Sequence, residues 1–129
     1  MNRTIYPCLW FNGQAKEAAA FYCSIFKNAK ITVDTPMVVR FEINGTQFMG
    51  LNGGPNFKFN ESVSFVVECE TQEEIDHYWD KLTEGGAESM CGWLKDRYGV
   101  SWQIVPTVLA KLMGDPERAG RVMQAFMKM

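Results

Sequence analysis

Apolar positions along the chain change period several times, and each change marks an element. After the short run Leu9-Trp10-Phe11, the stretch NGQAKEAAAFYCSIFKNA places Ala15, Ala18, Ala19, Tyr22, Ile25 and Phe26 at helical spacing. This predicts an amphipathic helix with one buried stripe. The spacing then shortens, predicting strands at Ile31 to Asp34, Val38 to Ile43 and Thr46 to Leu51, with Asn44-Gly45 as a type I′ hairpin turn between the last two. The second half repeats the order. A strand at Val63 to Cys69 leads into a helix opened by the capping box Thr71-Gln72-Glu73-Glu74 and stopped by Gly85-Gly86, with Ile75, Tyr78, Trp79 and Leu82 as its stripe. The stretch CGWLKDRYGVSWQIVP, Cys91 to Pro106, then runs out over a charged tip and returns as a strand.

When Ala18 is laid on Ile75, then Phe21, Tyr22 and Ile25 fall on Tyr78, Trp79 and Leu82. When Gly45 is laid on Gly99, then Thr46, Gln47, Phe48 and Met49 fall on Val100, Ser101, Trp102 and Gln103. Two matched elements in the same order indicate duplication of a βαβββ unit. The Gly-, Asn- and Pro-rich stretch Asn52 to Ser62 suits a crossover between the copies. As a phosphate loop it lacks a following helix N-terminus, and Pro55 interrupts it. The modules therefore span approximately 1–52 and 62–106 of a single domain, with a helical tail over 107–129. In that tail Gly114 ends a short helix, Asp115-Pro116 starts another, and Ala119, Val122, Met123 and Phe126 give the second an apolar face.

Composition narrows the function classes. With 47% hydrophobic and 22% charged residues, the 129-residue chain has the make-up of a globular domain. A net charge of −2 with scattered Lys and Arg argues against a nucleic-acid partner. No apolar run approaches the ~20 residues of a spanning helix, and MNRTIYPCLWF lacks the apolar core of a signal peptide, so no membrane role is expected. Cys8, Cys23, Cys69 and Cys91 show no C-x-x-C spacing, which suits reduced thiols in the cytoplasm.

Strand alternation selects the candidate site. It puts Ser101, Gln103 and Val105 on one face and Trp102 and Ile104 on the other, the apolar pair suiting the helix side. Gln103 thus faces away from the helix, as do Gln47, Met49 and Leu51 on the matching strand, while Phe48 packs outward against its helix. An amide offers donors and an acceptor without the charge that burial penalises. Gln103 is accordingly either a ligand contact or a partner for a neighbouring backbone group or the Ser64 hydroxyl. Cys91 and Trp93 share a face by the same alternation. No His lies near Cys91 to activate it, so it reads as a silent thiol.

The stretch LNGGPNFKFNESVSFVVECETQEEIDHYWDKL, together with CGWLKDRYGVSWQIVP and AAAFYCSIF, resembles the PhnB-like branch of the vicinal oxygen chelate superfamily. That superfamily contains glyoxalase I, bleomycin-resistance proteins and extradiol dioxygenases, and the branch often carries the label 3-demethylubiquinone-9 3-methyltransferase. The resemblance implies an α+β fold in which two βαβββ modules form a curled mixed sheet around a cavity, helices outside, usually as a homodimer. Members usually carry a glycine-rich loop of about a dozen residues between their second and third strands, in keeping with long loops as binding lids. VDTPMVV passes directly from strand to strand, so either this loop is deleted or the chain is interrupted between Val33 and Met37, the interruption being the expectation.

Metal-dependent members place a His or Glu on the first and fourth strands of each module. By the repeat, those positions hold approximately Pro7, Met49, Ser64 and Gln103, none a good donor to a divalent cation. The only histidine, His77, lies off the stripe of its helix. The resemblance therefore implies a small-molecule ligand, no metal and no other cofactor, with Gln103, Met49, Ser64, Cys91, Trp93, Gln47 and Ser101 as candidate ligand contacts. Three readings stand: an enzyme acting on that molecule, a sequestering protein of the bleomycin-resistance type, or the methyltransferase of the label. The last is weakened by the lack of a glycine-rich strand-to-helix turn for S-adenosylmethionine.

Overall fold

The computed structural model describes residues 3–118, 120 and 121. The chain divides into two compact units, residues 1–59 and 60–129. In the first, β1 (Cys8–Phe11) leads through α1 (Ala15–Ile25) to β2 (Ala29–Asp34), β3 (Val38–Ile43) and β4 (Thr46–Asn52). These strands form sheet A in the order β1-β4-β3-β2, with β1 parallel to β4 and the other pairs antiparallel.

Helix α1 covers one face of sheet A. All six residues of its predicted stripe, Ala15, Ala18, Ala19, Tyr22, Ile25 and Phe26, are buried, as are Phe11, Val39, Phe41 and Phe48 of the strands. The rings of Tyr22 and Phe41 lie 6.0 Å apart, and Phe41 stacks on Phe48 at 5.2 Å. Gly50 allows this close approach, since a Cβ there would stand 3.1 Å from that of Ala15. Gln14 at the N-cap gives the helix no side-chain hydrogen bond. Asn52, at the end of β4, does so instead: its Oδ1 accepts from the Ala15 N–H at 2.9 Å while its Nδ2 donates to the Pro36 carbonyl at 2.9 Å. One amide therefore fastens the helix start and the β2–β3 turn to the same strand end.

Asn44 and Gly45 have φ of 53° and 85°, as a type I′ turn requires. The expected interruption between Val33 and Met37 is corrected. A tight turn joins β2 directly to β3, closed by a bond from the Thr35 N–H to the Val38 carbonyl at 2.9 Å and one from the Val38 N–H to Thr35 Oγ1 at 3.0 Å.

In the second unit, β5 (Ser64–Cys69) leads through α2 (Gln72–Thr83) to β6 (Ala87–Glu88), β7 (Trp93–Lys95) and β8 (Ser101–Pro106), followed by α3 (Thr107–Met113). Sheet B runs β5-β8-β7-β6, again with its first strand parallel to its last. The duplication read from the sequence is thus a duplication of topology. Each unit carries one four-stranded mixed sheet with its helix, the expected α+β architecture of two similar modules.

Thr71 caps α2 by accepting from the Glu74 N–H at 3.2 Å. Gly86 lets the chain pass close to β7, where any Cβ would lie 2.1 Å from the Lys95 carbonyl oxygen. At the β7–β8 turn, Asp96 is 3% exposed: its Oδ1 accepts from the N–H groups of Tyr98 and Val100, and its Oδ2 from Trp102 Nε1 at 2.9 Å. In the tail, α3 ends at Gly114 as expected, and the predicted face of Ala119, Val122, Met123 and Phe126 lies outside the described residues. Among the described residues no helix is long and apolar enough to cross a membrane.

Candidate functional site

In sheet B, Leu94, Trp102 and Ile104 are buried on the α2 side. The pleat then sends Ser101 and Gln103 to the opposite face. The register brings neighbours to them there: Ser64 beside Ser101, Val66 and Trp93 on either side of Gln103, and Lys95 across from Ser101. Gln103 Nε2 donates to Ser64 Oγ at 2.9 Å. Of the two roles open to Gln103 in the sequence, the Ser64 contact is therefore present, and it occupies one N–H of the amide.

A cavity of about 240 Å³ opens beside this pair, lined by Glu61, Glu88, Ser89, Trp93, Lys95 and Ser101 among others. Ser101 is 1% exposed, and its Oγ is the buried side-chain polar atom without a hydrogen-bond partner among the described residues. A buried hydroxyl left unpaired costs free energy that a ligand group or a water can return. Two acids and one cation border the cavity. Lys95 pairs with Glu61, and its hydrogen bond and charge hold the Glu61 carboxyl below the usual carboxylate range. Glu88 Oε1 accepts from Trp79 Nε1 at 2.9 Å.

The structure thus brings together Ser64, Ser101, Gln103 and Trp93. It does not bring Cys91 with them by alternation. Cys91 lies in the turn before β7 with φ of 60°, so the two-residue period that orients Trp93 does not reach it.

On sheet A the corresponding face carries Gln47, Met49 and Leu51 of β4, all half-buried, while Phe48 turns to α1. Met49 pairs with Cys8 of β1 on one side and with Arg40 of β3 on the other. Arg40 Nη2 donates to Gln47 Oε1 at 2.9 Å, and the guanidinium carbon lies 4.7 Å from the centre of the Tyr6 ring. Trp10 shares the face of Cys8; its Nε1 donates to the Gly54 carbonyl at 2.9 Å and its ring meets Phe57 edge-on. The glycines of the crossover serve this indole rather than a phosphate, since a Cβ on Gly53 would fall 2.3 Å from it.

Glu61, Lys95, Arg40 and Tyr6 are absent from the sequence-derived site. Arg40 had a signal, the alternation of β3 that buries Val39, Phe41 and Ile43 and leaves Val38, Arg40 and Glu42 half-buried. Glu61 lies in the crossover and had none.

The positions at which metal-dependent relatives carry ligands do not fit a metal by donor chemistry. Met49 offers a thioether, Gln103 an amide already bonded to Ser64, and the Pro7 carbonyl accepts from the Met49 N–H at 3.0 Å. No group of three or more His, Cys, Asp or Glu stands close enough to hold a metal among the described residues. His77 is exposed on α2 and meets Tyr78 edge-on at 4.9 Å.

A family model described as 3-demethylubiquinone-9 3-methyltransferase matches residues 3–105. A Bacillus cereus PhnB protein bearing the same family description is 35% identical, with 81% of this chain and 99% of that one covered at a TM-score of 0.73. A Pseudomonas aeruginosa protein of solved structure is 21% identical, covering 81% of this chain and 98% of that one at a TM-score of 0.69. The fosfomycin resistance protein FosX of Listeria monocytogenes, solved with Mn(II) and sulfate, is 14% identical over 82% of this chain and 90% of its own, with a TM-score of 0.61. No curated protein matches the chain.

Proposed function

Because the chain belongs to the family described as 3-demethylubiquinone-9 3-methyltransferase, the PhnB-like branch of the glyoxalase superfamily, we propose that it binds a small polar organic molecule on the face of sheet B opposite α2 without a metal. The observation that carries this reading is the Ser101 hydroxyl, buried without a partner at a cavity whose wall includes Trp93 and whose neighbour is the Gln103–Ser64 pair. Trp93 offers a flat apolar surface, Ser101 a free donor, and Gln103 an amide oxygen held in position by the bond its nitrogen makes. Lys95 and Glu61 set a charged rim. The groups that fix a ligand here are neutral, so binding is the core of the proposal and turnover of the bound molecule is an addition to it.

The sequestering alternative differs only in that addition. Methyl transfer has less in its favour, because none of the strand-to-helix connections, Asn12-Gly13-Gln14, Glu70-Thr71 and the direct step from Pro106 to Thr107, carries a glycine-rich turn. A homodimer and a cytoplasmic setting belong to the same reading. The four cysteines are free thiols, which suits a reducing compartment.

Native mass spectrometry of the purified protein, with identification of whatever small molecule travels with it, tests binding directly. With that molecule in hand, Gln103→Leu is expected to weaken affinity by about 1–3 kcal/mol while leaving folding nearly intact. Lost stability with unchanged affinity would assign Gln103 to the Ser64 bond alone. Stoichiometric Ni²⁺, Zn²⁺ or Mn²⁺ retained after dialysis and lost in Gln103→Leu would overturn the metal-free part. A monodisperse monomer in sedimentation would remove the dimer.

A further inference from the structure

We propose that the face of sheet A opposite α1 carries an oxyanion-recognition site centred on Arg40, which takes the carboxylate or phosphoryl group of a small organic molecule. Among the described residues, Arg40 and Lys95 are the Lys and Arg residues that are half-buried, and the Lys95 side chain still keeps 42% of its exposure. Lys95 has Glu61 as its counter-charge. No ion pair links Arg40 to a carboxylate among the described residues. A half-buried guanidinium without an anion gives up hydration that neutral neighbours return only in part.

The side chain is also held in one orientation. Gln47 Oε1 takes a bond from Nη2 and the Tyr6 ring lies beside the guanidinium plane, so the group is fixed before any ligand arrives. Guanidinium has five N–H donors in a planar fork, and the Gln47 bond uses one. Glu42 is the acid that opposes the site: it shares the face as the register partner of Gln47, yet it forms no ion pair with Arg40. Half-buried Met49, the register partner of Arg40, and the Tyr6 ring border the position and favour an oxyanion carried on an apolar body over a bare ion. All of these residues lie in the first unit, so the site stands independently of the one proposed on sheet B.

The test is an NMR titration of the full-length ¹⁵N-labelled protein with phenylphosphonate, benzoate, inorganic phosphate and neutral benzyl alcohol, reading the Arg40 Nε–H and Gln47 side-chain amide resonances. Phenylphosphonate or benzoate is expected to shift both saturably and benzyl alcohol neither. Arg40→Gln should weaken the binding roughly tenfold or more, and Arg40→Lys, which keeps the charge but not the fork, severalfold. Gln103→Leu should leave it unchanged, which separates this site from that on sheet B. The proposal is overturned if no anion gives a saturable shift, or if affinity survives both Arg40 variants. Inorganic phosphate binding as tightly as phenylphosphonate would overturn the organic-ligand assignment. If Arg40→Gln does not fold, Arg40→Lys alone decides.

Discussion

The two modules share a topology but differ in how their helices are seated. Alanines at 15, 18 and 19 let α1 lie close on sheet A, and every apolar residue of its stripe is buried. Helix α2 presents Ile75, Tyr78 and Trp79 in the equivalent row, larger side chains that stay half-buried, with Leu82 its one buried residue. The strands differ in the same sense. Sheet A has three strands of six or seven residues, whereas β6 and β7 of sheet B have two and three. The first module is held by apolar packing, and the second relies more on placed polar groups, chiefly Asp96. Duplicated topology preserves which strand pairs with which, and leaves each copy free to choose the source of its stability.

The sharpest way to break that comparison is to cut the same helical row in both copies. Tyr22→Ala removes a ring with no exposure from the first core and is expected to destabilise by about 3–5 kcal/mol, against about 1–2 kcal/mol for Trp79→Ala, a residue only partly buried. Urea unfolding of both variants measures the gap, and equal losses would dissolve the distinction. Next comes Asp96→Asn, expected to cost about 2–4 kcal/mol. An amide nitrogen would then face the Trp102 Nε1–H, donor against donor, inside a buried turn. The Asn44-Gly45 turn of the first module contains no such residue.

Smaller and opposite in sign is Ser101→Ala. If the cavity hydroxyl is paired by nothing in the free protein, its removal should raise stability by about 1 kcal/mol in the ligand-free state while weakening ligand binding. The smallest effect is the pH dependence of the Glu61–Lys95 pair. A carboxyl held below its usual range by Lys95 lends stability above its unfolded pKa and loses it as the pH falls through the folded value. Acid titration of stability should therefore flatten in Glu61→Gln relative to the wild type, by a small amount because the pair is exposed to solvent.

Much of this was legible because it depends on local period. The stripe of α1, the turn at Asn44-Gly45 and the cap at Thr71 follow from spacing and residue type, and the outward orientation of Gln103 follows from its two apolar neighbours on β8. What escaped depends on partners distant in sequence. Alternation marks Arg40 as facing away from α1, but only the register of β3 against β4 puts Gln47 within reach of it. Cys91 was misplaced because a residue with positive φ resets the alternation before β7 begins. The expected break before Met37 leaned on the longer loop of relatives, although Thr35-Pro36 is itself a turn signal, and the Thr35 hydroxyl closes that turn. Likewise, the periodicity of α2 identifies its inner face without telling how far the sheet beneath it extends.

The parallel pairings have a consequence for the chain as it is made. In sheet A the sole neighbour of β1 is β4, so residues Cys8–Phe11 leave the ribosome with no strand to join until Thr46–Asn52 has followed. The β2–β3–β4 meander, linked by two tight turns, needs no such delay. The segment that waits longest is the apolar Leu9-Trp10-Phe11, whose indole and ring later make the wall of the module. Its strand has four residues, below the six or seven that usually seed a stable cross-β assembly, so the interval in which it stands alone exposes only a short template.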